Sequence, residues 1–306
     1  MLAQRAGLGA GLRLTLIVIT GSREEAMTEA ELAIVRRAYA KQVMLPYNAG
    51  HPRVEAAFAA VRREAFLGPG PWPIIAPLLK HPYVTTPDDD LVYLYQDVFV
   101  GLIPKRRLNN GNPSGHAMLM AHADPRAGDH AVHIGAGVGY YTAILAHMVG
   151  SGGRVTAIEY DPGLAQRLKA NFAEEPNVRA VQGDGTGIDF DPADVIYVNA
   201  GATRPVDLWL DRLKDGGRMI LALTRDKDTG GPFFLIERRG DGFLAKWLFL
   251  GSLFPCEGAR DAESERALVA ALEKGGGDRV THLYRRGDVS EERCWLKGPD
   301  WCLTYD

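Results

Sequence analysis

From residue 115 onward, short apolar runs alternate with segments of helical periodicity. Strands joined by helices form βαβ units, in which the strands lie parallel and the helices cover both faces of the sheet. The alternation therefore predicts an α/β fold with a doubly wound, mostly parallel sheet. The predicted strands are 130–135, 155–160, 178–182, 193–200 and 218–224, the helices are 140–149, 163–172 and 206–213, and an antiparallel pair is expected at 233–239 and 243–250.

The N-terminal part of the chain lacks this alternation. The apolar run at 12–20 is interrupted by Arg13 and is shorter than the ~20 residues that span a bilayer. A clean amphipathic helix starts only at Met27, where Thr28 and Glu31 have the spacing of a capping box. We therefore expect residues before Met27 to be disordered or to derive from an upstream start codon.

Further helical periodicity predicts a second helix over 54–66, followed by an irregular stretch over 74–112 and, near the C-terminus, a helix over 263–272. We expect the last fifty residues to pack on the core. The predicted organisation is a disordered or upstream extension at 1–26, an N-terminal helical and substrate-side segment at 27–114, a ligand-binding domain at 115–257 and a C-terminal extension at 258–306.

Composition bears on the class of partner and on the compartment. The 306 residues carry 35 Lys and Arg against 38 Asp and Glu, and the basic run at 105–107 is too short for a nucleic-acid surface. Neither nucleic acid nor membrane is an expected partner. Cys256, Cys294 and Cys302 form no C-x-x-C pair and no metal-ligand spacing with histidine. We therefore expect no metal, and reduced cysteines in a cytoplasmic protein.

The strongest local motif is HIGAGVGYY at 133–141, where a strand ends and a helix begins. Gly135, Gly137 and Gly139 permit a sharp turn and a close approach to a ligand, which then meets the amides of the helix N-terminus. A dinucleotide fingerprint would need a third glycine at position 140, which is Tyr140. The spacing instead suits an adenosyl ligand that carries an amino-acid tail in place of phosphates.

Acidic residues follow at the next two strand ends. Glu159 lies twenty residues after Gly139 and closes the second strand, where a carboxylate can accept both ribose hydroxyls. Asp184, between two glycines, closes the third strand and can accept a hydrogen bond from an adenine amino group. Because three successive strand ends carry matching features, we interpret them as one binding site.

Five runs carry a resemblance to class I S-adenosylmethionine-dependent methyltransferases: HIGAGVGYYTAILA, VTAIEYDPGLA, VQGDG, DVIYVNAGA and LDRLKDGGRMILAL. Within that class, GYYTA and the upstream AAVRREAF most resemble the protein-L-isoaspartate (D-aspartate) O-methyltransferase family. The resemblance covers about residues 53–256. It implies a Rossmann-like methyltransferase fold and S-adenosyl-L-methionine as cofactor. The implied cofactor-binding residues are His133, Gly135, Ala136, Gly137, Gly139, Tyr140, Glu159, Tyr160, Asp184, Gly185 and Asn199.

The resemblance also implies an acceptor segment just before the first strand of the sheet. The family segment reads like T-I-S-Q-P-Y, and the corresponding stretch here runs from Asn110 to His116. With the prolines aligned, the family serine falls on Gly111, so we expect activity on isoaspartyl peptides to be weak or redirected to a related carboxyl. The polar Asn112 and Ser114 are the predicted catalytic residues; the predicted substrate-binding residues are Asn110, Gly111 and His116.

The predicted acceptor is a protein or peptide carboxylate, which is ionised near neutral pH and needs no general base. Alignment of the reacting atoms can supply roughly 7–11 kcal/mol. Two alternatives stay open: a small-molecule O-methyltransferase, with His116 or His133 as base, and a cofactor-binding homologue that lacks isoaspartyl repair or no longer turns over. Methylation of a nucleobase is disfavoured. Methylation of its amino group typically uses an N-P-P-Y-like segment after the fourth strand, and here Asn199-Ala200 is not followed by prolines. Methylation of cytosine C5 needs a Pro-Cys nucleophile at the same place, and Pro255-Cys256 lies far downstream.

Overall fold

The computed structural model describes residues 27–46, 50–75, 83–225, 230–285 and 289–305, so the extension expected at 1–26 lies outside the described residues. The helix predicted from Met27 is confirmed. Thr28 caps it, and the reciprocal bonds between Thr28 and Glu31 complete the capping box. The α-helices are α1 (Glu29–Met44), α2 (Pro52–Ala60), α3 (Glu64–Leu67), α4 (Pro113–Ala123), α5 (Tyr140–Val149), α6 (Pro162–Asn171), α7 (Asp207–Arg212) and α8 (Ala262–Lys274).

Two sheets organise the strands of the described residues. The smaller has the order β2-β1-β3-β4 and the larger the order β13-β14-β12-β11-β10-β9-β8-β5-β6-β7. The small-sheet strands are β1 (Pro73–Ile75), β2 (Val84–Thr85), β3 (Phe99–Ile103) and β4 (Leu108–Asn109). The large-sheet strands are β5 (His130–Ile134), β6 (Arg154–Glu159), β7 (Val178–Gln182), β8 (Ala193–Val198), β9 (Leu213–Ala222), β10 (Gly231–Arg239), β11 (Gly242–Gly251), β12 (His282–Arg285), β13 (Cys294–Lys297) and β14 (Trp301–Thr304).

The predicted α/β class and doubly wound sheet are confirmed. β7, β6, β5, β8 and β9 form a parallel half, and from β9 to β13 the pairs are antiparallel. The predicted antiparallel pair is β10 with β11. Beyond it, β12 to β14 extend the same sheet, so residues after 258 add both α8 and three strands to one continuous structure.

Side chains alternate along the buried central strands and fill a core on each face. Ala131 of β5 packs into the cluster that contains α1, α2, α4 and α5 side chains. Val132 and Ile134 point to the opposite face, where Trp209 of α7 and Leu268 of α8 pack. Because α1 and α2 share the first cluster, the N-terminal helices are part of the same core. No α-helix within the described ranges is long and apolar enough to cross a membrane.

The helix predicted over 54–66 is wrong as a single element. α2 ends at Ala60, and Val61 has extended backbone angles before α3 begins. The break lies next to Arg63, which is fully buried and donates from its guanidinium to the carbonyls of Leu94 and Val98. A continuous amphipathic helix would not bring this charged side chain to those carbonyls. The stretch expected to be irregular, 74–112, contains most of the small sheet.

The prediction of reduced, unpaired cysteines is wrong for two of the three. Cys294 and Cys302 form a disulfide between β13 and β14, whereas Cys256 is a buried free thiol. These strands are antiparallel neighbours, which brings the two Cα atoms to 5.9 Å. Eight residues separate the two cysteines in sequence, and their spacing gave no sign of the hairpin that pairs them.

Candidate functional site

The glycine loop after β5 has positive φ angles throughout its three glycines, and two of them make contacts too close for a Cβ. Gly135, Gly137 and Gly139 have φ values of 75°, 58° and 98°. A Cβ on Gly135 would lie 2.8 Å from the carbonyl oxygen of Asn199, and one on Gly139 would overlap the Phe172 ring. At Gly137, the nearest described atom to an added Cβ is a Leu102 methyl group at 3.7 Å. The outer two glycines therefore serve packing, whereas an added Cβ at Gly137 would make only an ordinary van der Waals contact with Leu102.

Glu159 lies at the end of β6, next to that loop. One carboxylate oxygen, Oε2, accepts from the backbone N–H of Gly137 at 2.7 Å, and Oε1 accepts from the N–H of Asp161 at 2.8 Å. The side chain is buried, and this burial raises the pKa of Glu159 against the opposing effect of the N–H groups. Glu159 thus joins the glycine loop to the turn after β6.

The end of β7 supplies a second carboxylate. Asp184 Oδ1 accepts from the backbone N–H and the hydroxyl of Thr186, both at 2.8 Å, and this shapes the turn. Gly185 is buried: its carbonyl accepts from the Trp209 indole at 2.8 Å, and an added Cβ would lie 2.5 Å from a methyl group of Ile134. Asp184 is therefore the half-buried polar group of this strand end, and Gly185 is a packing residue.

The end of β8 closes the arrangement. Asn199 donates from its side-chain amide to the Gly135 carbonyl at 3.2 Å, and from its backbone to the Ile134 carbonyl at 2.8 Å. Ala136 is buried in the loop, whereas Tyr160 is 54 % exposed beside Glu159. The four parallel strands place these groups at one edge, as the sequence predicted, and ligands bind at that edge in open α/β sheets.

Two predicted cofactor residues have their side chains in the core instead. His133 is fully buried, with Nδ1 2.9 Å from the Thr142 hydroxyl, and burial lowers its pKa to about 3. Its position on β5 points it at α5 and away from the strand-end edge. Tyr140 is also buried, and its hydroxyl lies 3.2 Å from that of Tyr39 on α1. Both side chains are therefore packed in the core.

Asn112 and Ser114 lie at the N-terminus of α4, where both are bound by Asp97, a residue that the sequence did not point to. Asn112 is the N-cap, and its Oδ1 accepts from the Gly115 N–H at 2.9 Å. Asp97 accepts from the Asn112 amide at 2.9 Å, the Ser114 N–H at 2.8 Å and the Ser114 hydroxyl at 2.7 Å. Asp97 stands alone in a stretch without periodicity, so no local pattern identified it.

Asn110 is likewise bound inside the protein. Its side-chain oxygen accepts from the Arg63 guanidinium at 3.2 Å and from the Val100 N–H at 3.1 Å. Arg63 also lies over the rings of Tyr39 and Tyr140, at 5.9 and 5.6 Å from their centroids. The run AAVRREAF contains Arg63, but nothing in it signalled that this arginine would be buried. Asn110 therefore attaches the start of the segment 110–116 to Arg63 and to β3.

Gly111 and His116 meet at the centre of the segment. Gly111 has a φ of 78°, and an added Cβ would overlap the Nε2 of His116. The His116 ring stacks on Tyr141, with centroids 3.6 Å apart, and its Nδ1 lies 2.8 Å from the Tyr197 hydroxyl. Burial, and then the charges of His133 and Arg63, lower the pKa of His116 well below its usual value. The imidazole is neutral at pH 7.

The turn between β3 and β4 lies over the glycine loop. Leu102 of β3 approaches Gly137, and Arg106 in the turn forms an ion pair with Asp161 after β6. Asp161 also caps α6 by accepting from the N–H groups of Gly163 and Leu164. The small sheet is therefore fastened across the site, which the irregular sequence pattern of this region did not predict.

Sequence comparison finds one family model and several relatives that are similar to this chain. The family model described as Protein-L-isoaspartate(D-aspartate) O-methyltransferase (PCMT) matches residues 93–249. A protein-L-isoaspartate O-methyltransferase of Thermotoga maritima is 30% identical over 155 residues, which is 49% of each chain. Protein-L-isoaspartate O-methyltransferase 2 of Archaeoglobus fulgidus is 38% identical over 134 residues, 42% of this chain and 60% of the relative. The chain thus spans about half to three-fifths of the length of these relatives.

Solved structures show the same fold. A protein-L-isoaspartate O-methyltransferase aligns with a TM-score of 0.59 and 23% identity, over 78% of this chain and 69% of that chain. A β-aspartate methyltransferase from Plasmodium falciparum, in complex with S-adenosyl-L-homocysteine, aligns with a TM-score of 0.55 and 15% identity, over 72% of this chain and 98% of that chain. At 23% and 15% identity, these similarities show a shared fold and nothing more.

Proposed function

The chain belongs to the protein-L-isoaspartate(D-aspartate) O-methyltransferase family, and from this membership we propose that it transfers a methyl group from S-adenosylmethionine to a carboxylate of a protein or peptide. The observation that carries the proposal is the group formed at one sheet edge by Gly137, Glu159, Asp184 and Asn199. Their placement on four parallel strand ends is the arrangement that an adenosyl amino acid requires.

Each of these groups suits one part of the cofactor. A carboxylate has about four lone-pair positions, so Glu159 can hold the loop amides and still accept ribose hydroxyls. Asp184 would accept from the adenine amino group. Gly137 leaves room for the methionine part, and Asn199 would lie beside the sulfonium. Tyr160, exposed next to Glu159, is positioned to cover one side of the nucleoside.

Methyl transfer to a carboxylate requires no base in this site. The acceptor oxygen forms a bond to the methyl carbon while the carbon–sulfur bond breaks and its electron pair returns to sulfur. The products are a methyl ester and S-adenosylhomocysteine, and the opposite charges of the reactants cancel. The protein's contribution is alignment and exclusion of water. The small sheet, fastened by Arg106 to Asp161, favours exclusion of water from this edge.

His116 is the residue that we assign to the acceptor. In the family segment a serine stands at the position of Gly111, but here a side chain at that position would overlap the His116 ring. The neutral imidazole is oriented by Tyr197 and Tyr141. With its proton on Nε2, it would donate a hydrogen bond to the acceptor carboxylate. Asn110, Asn112 and Ser114 then act by positioning the segment, through Arg63 and Asp97.

The same histidine supports a second candidate, an O-methyltransferase of small phenols or alcohols. Such an acceptor must lose a proton, and in the other tautomer the Nε2 atom of His116 carries the lone pair that could accept it. Burial lowers the pKa of His116, which makes it a weaker base and favours the carboxylate acceptor over this candidate. A cytoplasmic location also remains a prediction, and the disulfide of Cys294 and Cys302 removes the reduced-thiol argument for it.

The test is methyl transfer from labelled S-adenosylmethionine to an isoaspartyl peptide, its normal-aspartyl twin and a panel of small phenols and alcohols. Base-labile label on either peptide supports the carboxyl acceptor. Base-stable label on a phenol, with no label on peptides, supports the second candidate. Absence of S-adenosylhomocysteine binding by calorimetry overturns both.

A further inference from the structure

The two ring nitrogens of His116 face different parts of the protein. Nδ1 lies 2.8 Å from the hydroxyl of Tyr197, a residue of β8. One face of the ring stacks on Tyr141, with centroids 3.6 Å apart and the planes tilted by 16°. A ring held in this way cannot turn over without breaking its bond to Tyr197. Nδ1 therefore faces β8, and Nε2 faces Gly111 in the acceptor segment.

The proton in the bond between His116 and Tyr197 can belong to Nδ1 or to the hydroxyl. Tyr197 is fully buried, and within the described ranges His116 Nδ1 is the only hydrogen-bond partner of its hydroxyl. If Nδ1 carried a proton, the hydroxyl hydrogen would be buried without an acceptor. An unsatisfied buried donor shifts such an equilibrium by about 5–150-fold. Tyr197 is therefore the donor and Nδ1 the acceptor.

The aromatic neighbours of Tyr197 do not change this assignment. His133 lies edge-on to the Tyr197 ring, with centroids 5.5 Å apart, and its Nε2 is buried without a hydrogen-bond partner among the described residues. The Tyr141 hydroxyl donates to the carbonyl of Gly111 at 3.3 Å. Burial raises the pKa of Tyr197 well above its usual value, so the hydroxyl keeps its proton at neutral pH.

The state of Nδ1 fixes the state of Nε2. A neutral imidazole has one N–H group, so with Nδ1 as an acceptor the hydrogen is on Nε2. The neighbouring N–H of Gly111 donates to Asn109 Oδ1 at 2.9 Å, and its carbonyl accepts from Tyr141. Nε2 therefore presents a donor to the acceptor group. In this tautomer it has no lone pair with which to remove a proton from a phenol or an alcohol.

We propose that Tyr197 determines acceptor specificity: its hydroxyl holds His116 as a hydrogen-bond donor, which selects an acceptor that is already an anion over one that must lose a proton. Tyr197 is a positioning residue, since it acts through His116. The inference rests on the proposed function and decides between its two candidates. The acceptor class that it selects is the ionised carboxylate.

The first test locates the proton by nitrogen NMR of protein with isotope-labelled histidine. A His116→Asn variant identifies the His116 signals, whose shifts distinguish a protonated from an unprotonated ring nitrogen. We expect the proton on Nε2 in the wild type and a mixture of both tautomers in Tyr197→Phe. Tyr39→Phe, which removes a buried hydroxyl bonded to Tyr140, should leave the His116 signals unchanged. A proton on Nδ1 in the wild type overturns the inference.

The second test compares methyl transfer by the wild type, Tyr197→Phe and Tyr39→Phe to an isoaspartyl peptide and to a panel of phenols. Tyr197→Phe should lower kcat on the peptide by about threefold to tenfold, as expected for one hydrogen bond. Its affinity for S-adenosylhomocysteine should stay unchanged, and its ratio of peptide to phenol transfer should fall. Tyr39→Phe should match the wild type. An unchanged kcat and ratio in Tyr197→Phe contradict the specificity role.

The two tests separate failure of the inference from failure of the proposed function. A wild type that labels peptides but carries the proton on Nδ1 overturns the inference alone. A wild type that labels no acceptor refutes the proposed function, and the specificity role with it, wherever the proton lies. If Tyr197→Phe does not fold, the wild-type shifts decide: a proton on Nε2 supports the inference and a proton on Nδ1 overturns it.

Discussion

The Glu159 carboxylate accepts a hydrogen bond from the backbone N–H of Gly137 at 2.7 Å, across 22 residues of sequence. One side chain thus fixes the conformation of the glycine loop and faces the position proposed for the ribose. The geometry of the loop and the affinity for the cofactor are therefore expected to depend on the same residue.

Replacement of Glu159 by Ala should weaken S-adenosylhomocysteine binding by about 1.5–3 kcal/mol, the usual range for hydrogen bonds to a charged group. Glu174→Ala, at an exposed site after α6, is the matched control. Calorimetry measures both. Because burial raises the pKa of Glu159 above its ordinary 4.5, its charge is lost at a higher pH than usual. Affinity for S-adenosylhomocysteine should therefore fall as the pH is lowered toward the raised pKa of Glu159. Unchanged affinity in Glu159→Ala would move the ribose elsewhere.

The cap of α4 gives a second prediction. Asn112→Ala should lower stability by about 0.5–2 kcal/mol, the cost of losing an N-cap, and should also lower turnover because the acceptor segment shifts. Thr28→Ala removes the cap of α1 instead and should lower stability without affecting turnover. Since Asn112 and Ser114 both contact Asp97, their double mutant should be non-additive. Denaturant titration and initial rates test this. Full turnover in Asn112→Ala would show that Asn112 serves only to cap α4 and does not position the acceptor.

The buried histidine on β5 predicts an acid-sensitive fold. Burial lowers the pKa of His133 to about 3, against 6.5 as the ordinary value. The unfolded chain therefore takes up a proton below pH 6.5 that the folded protein does not bind. The free energy of unfolding therefore decreases as the pH is lowered. The slope from this group should be about 1.4 kcal/mol per pH unit between about pH 6 and 4. Burial lowers the pKa of His116 too, which adds a contribution of the same sign.

Urea titration at a series of pH values measures that slope, and His133→Asn should reduce it. His147→Asn, at an exposed position of α5, is the matched control. An unchanged slope in His133→Asn would show that other groups cause the acid sensitivity.

The ion pair between Arg106 and Asp161 predicts a kinetic effect on the cofactor. Arg106 is 58% exposed, so the pair should contribute only about 0–1 kcal/mol to stability. Because it fastens the β3–β4 turn over Gly137, Arg106→Ala should speed cofactor dissociation several-fold, as a stopped-flow measurement would show. Arg154→Ala removes a similarly exposed arginine, which pairs with Asp191 at the opposite end of the strands. Equal dissociation rates in the two variants would contradict a closing role.

Much of the site could be predicted from the sequence because its signals are local. Gly135, Gly137 and Glu159 stand at the ends of apolar runs, and parallel strands bring such ends to one edge. The family resemblance also implied cofactor contacts for His133 and Tyr140, and the side chains of both lie in the core. A motif marks where the backbone turns, but the direction of each side chain depends on the strand or helix face that bears it.

The alternation of strands and helices, the glycine spacing and the capping box determined the fold class and the position of the candidate site by themselves, because each acts within a few residues. Only the tertiary structure decided the break of the helix at Arg63, the role of Asp97, the pairing of Cys294 with Cys302 and the bond between His116 and Tyr197. These features join residues that are distant along the chain or paired only by the register of a hairpin. Their energies come from desolvation, hydrogen bonding and close packing, which exist only once the chain has folded.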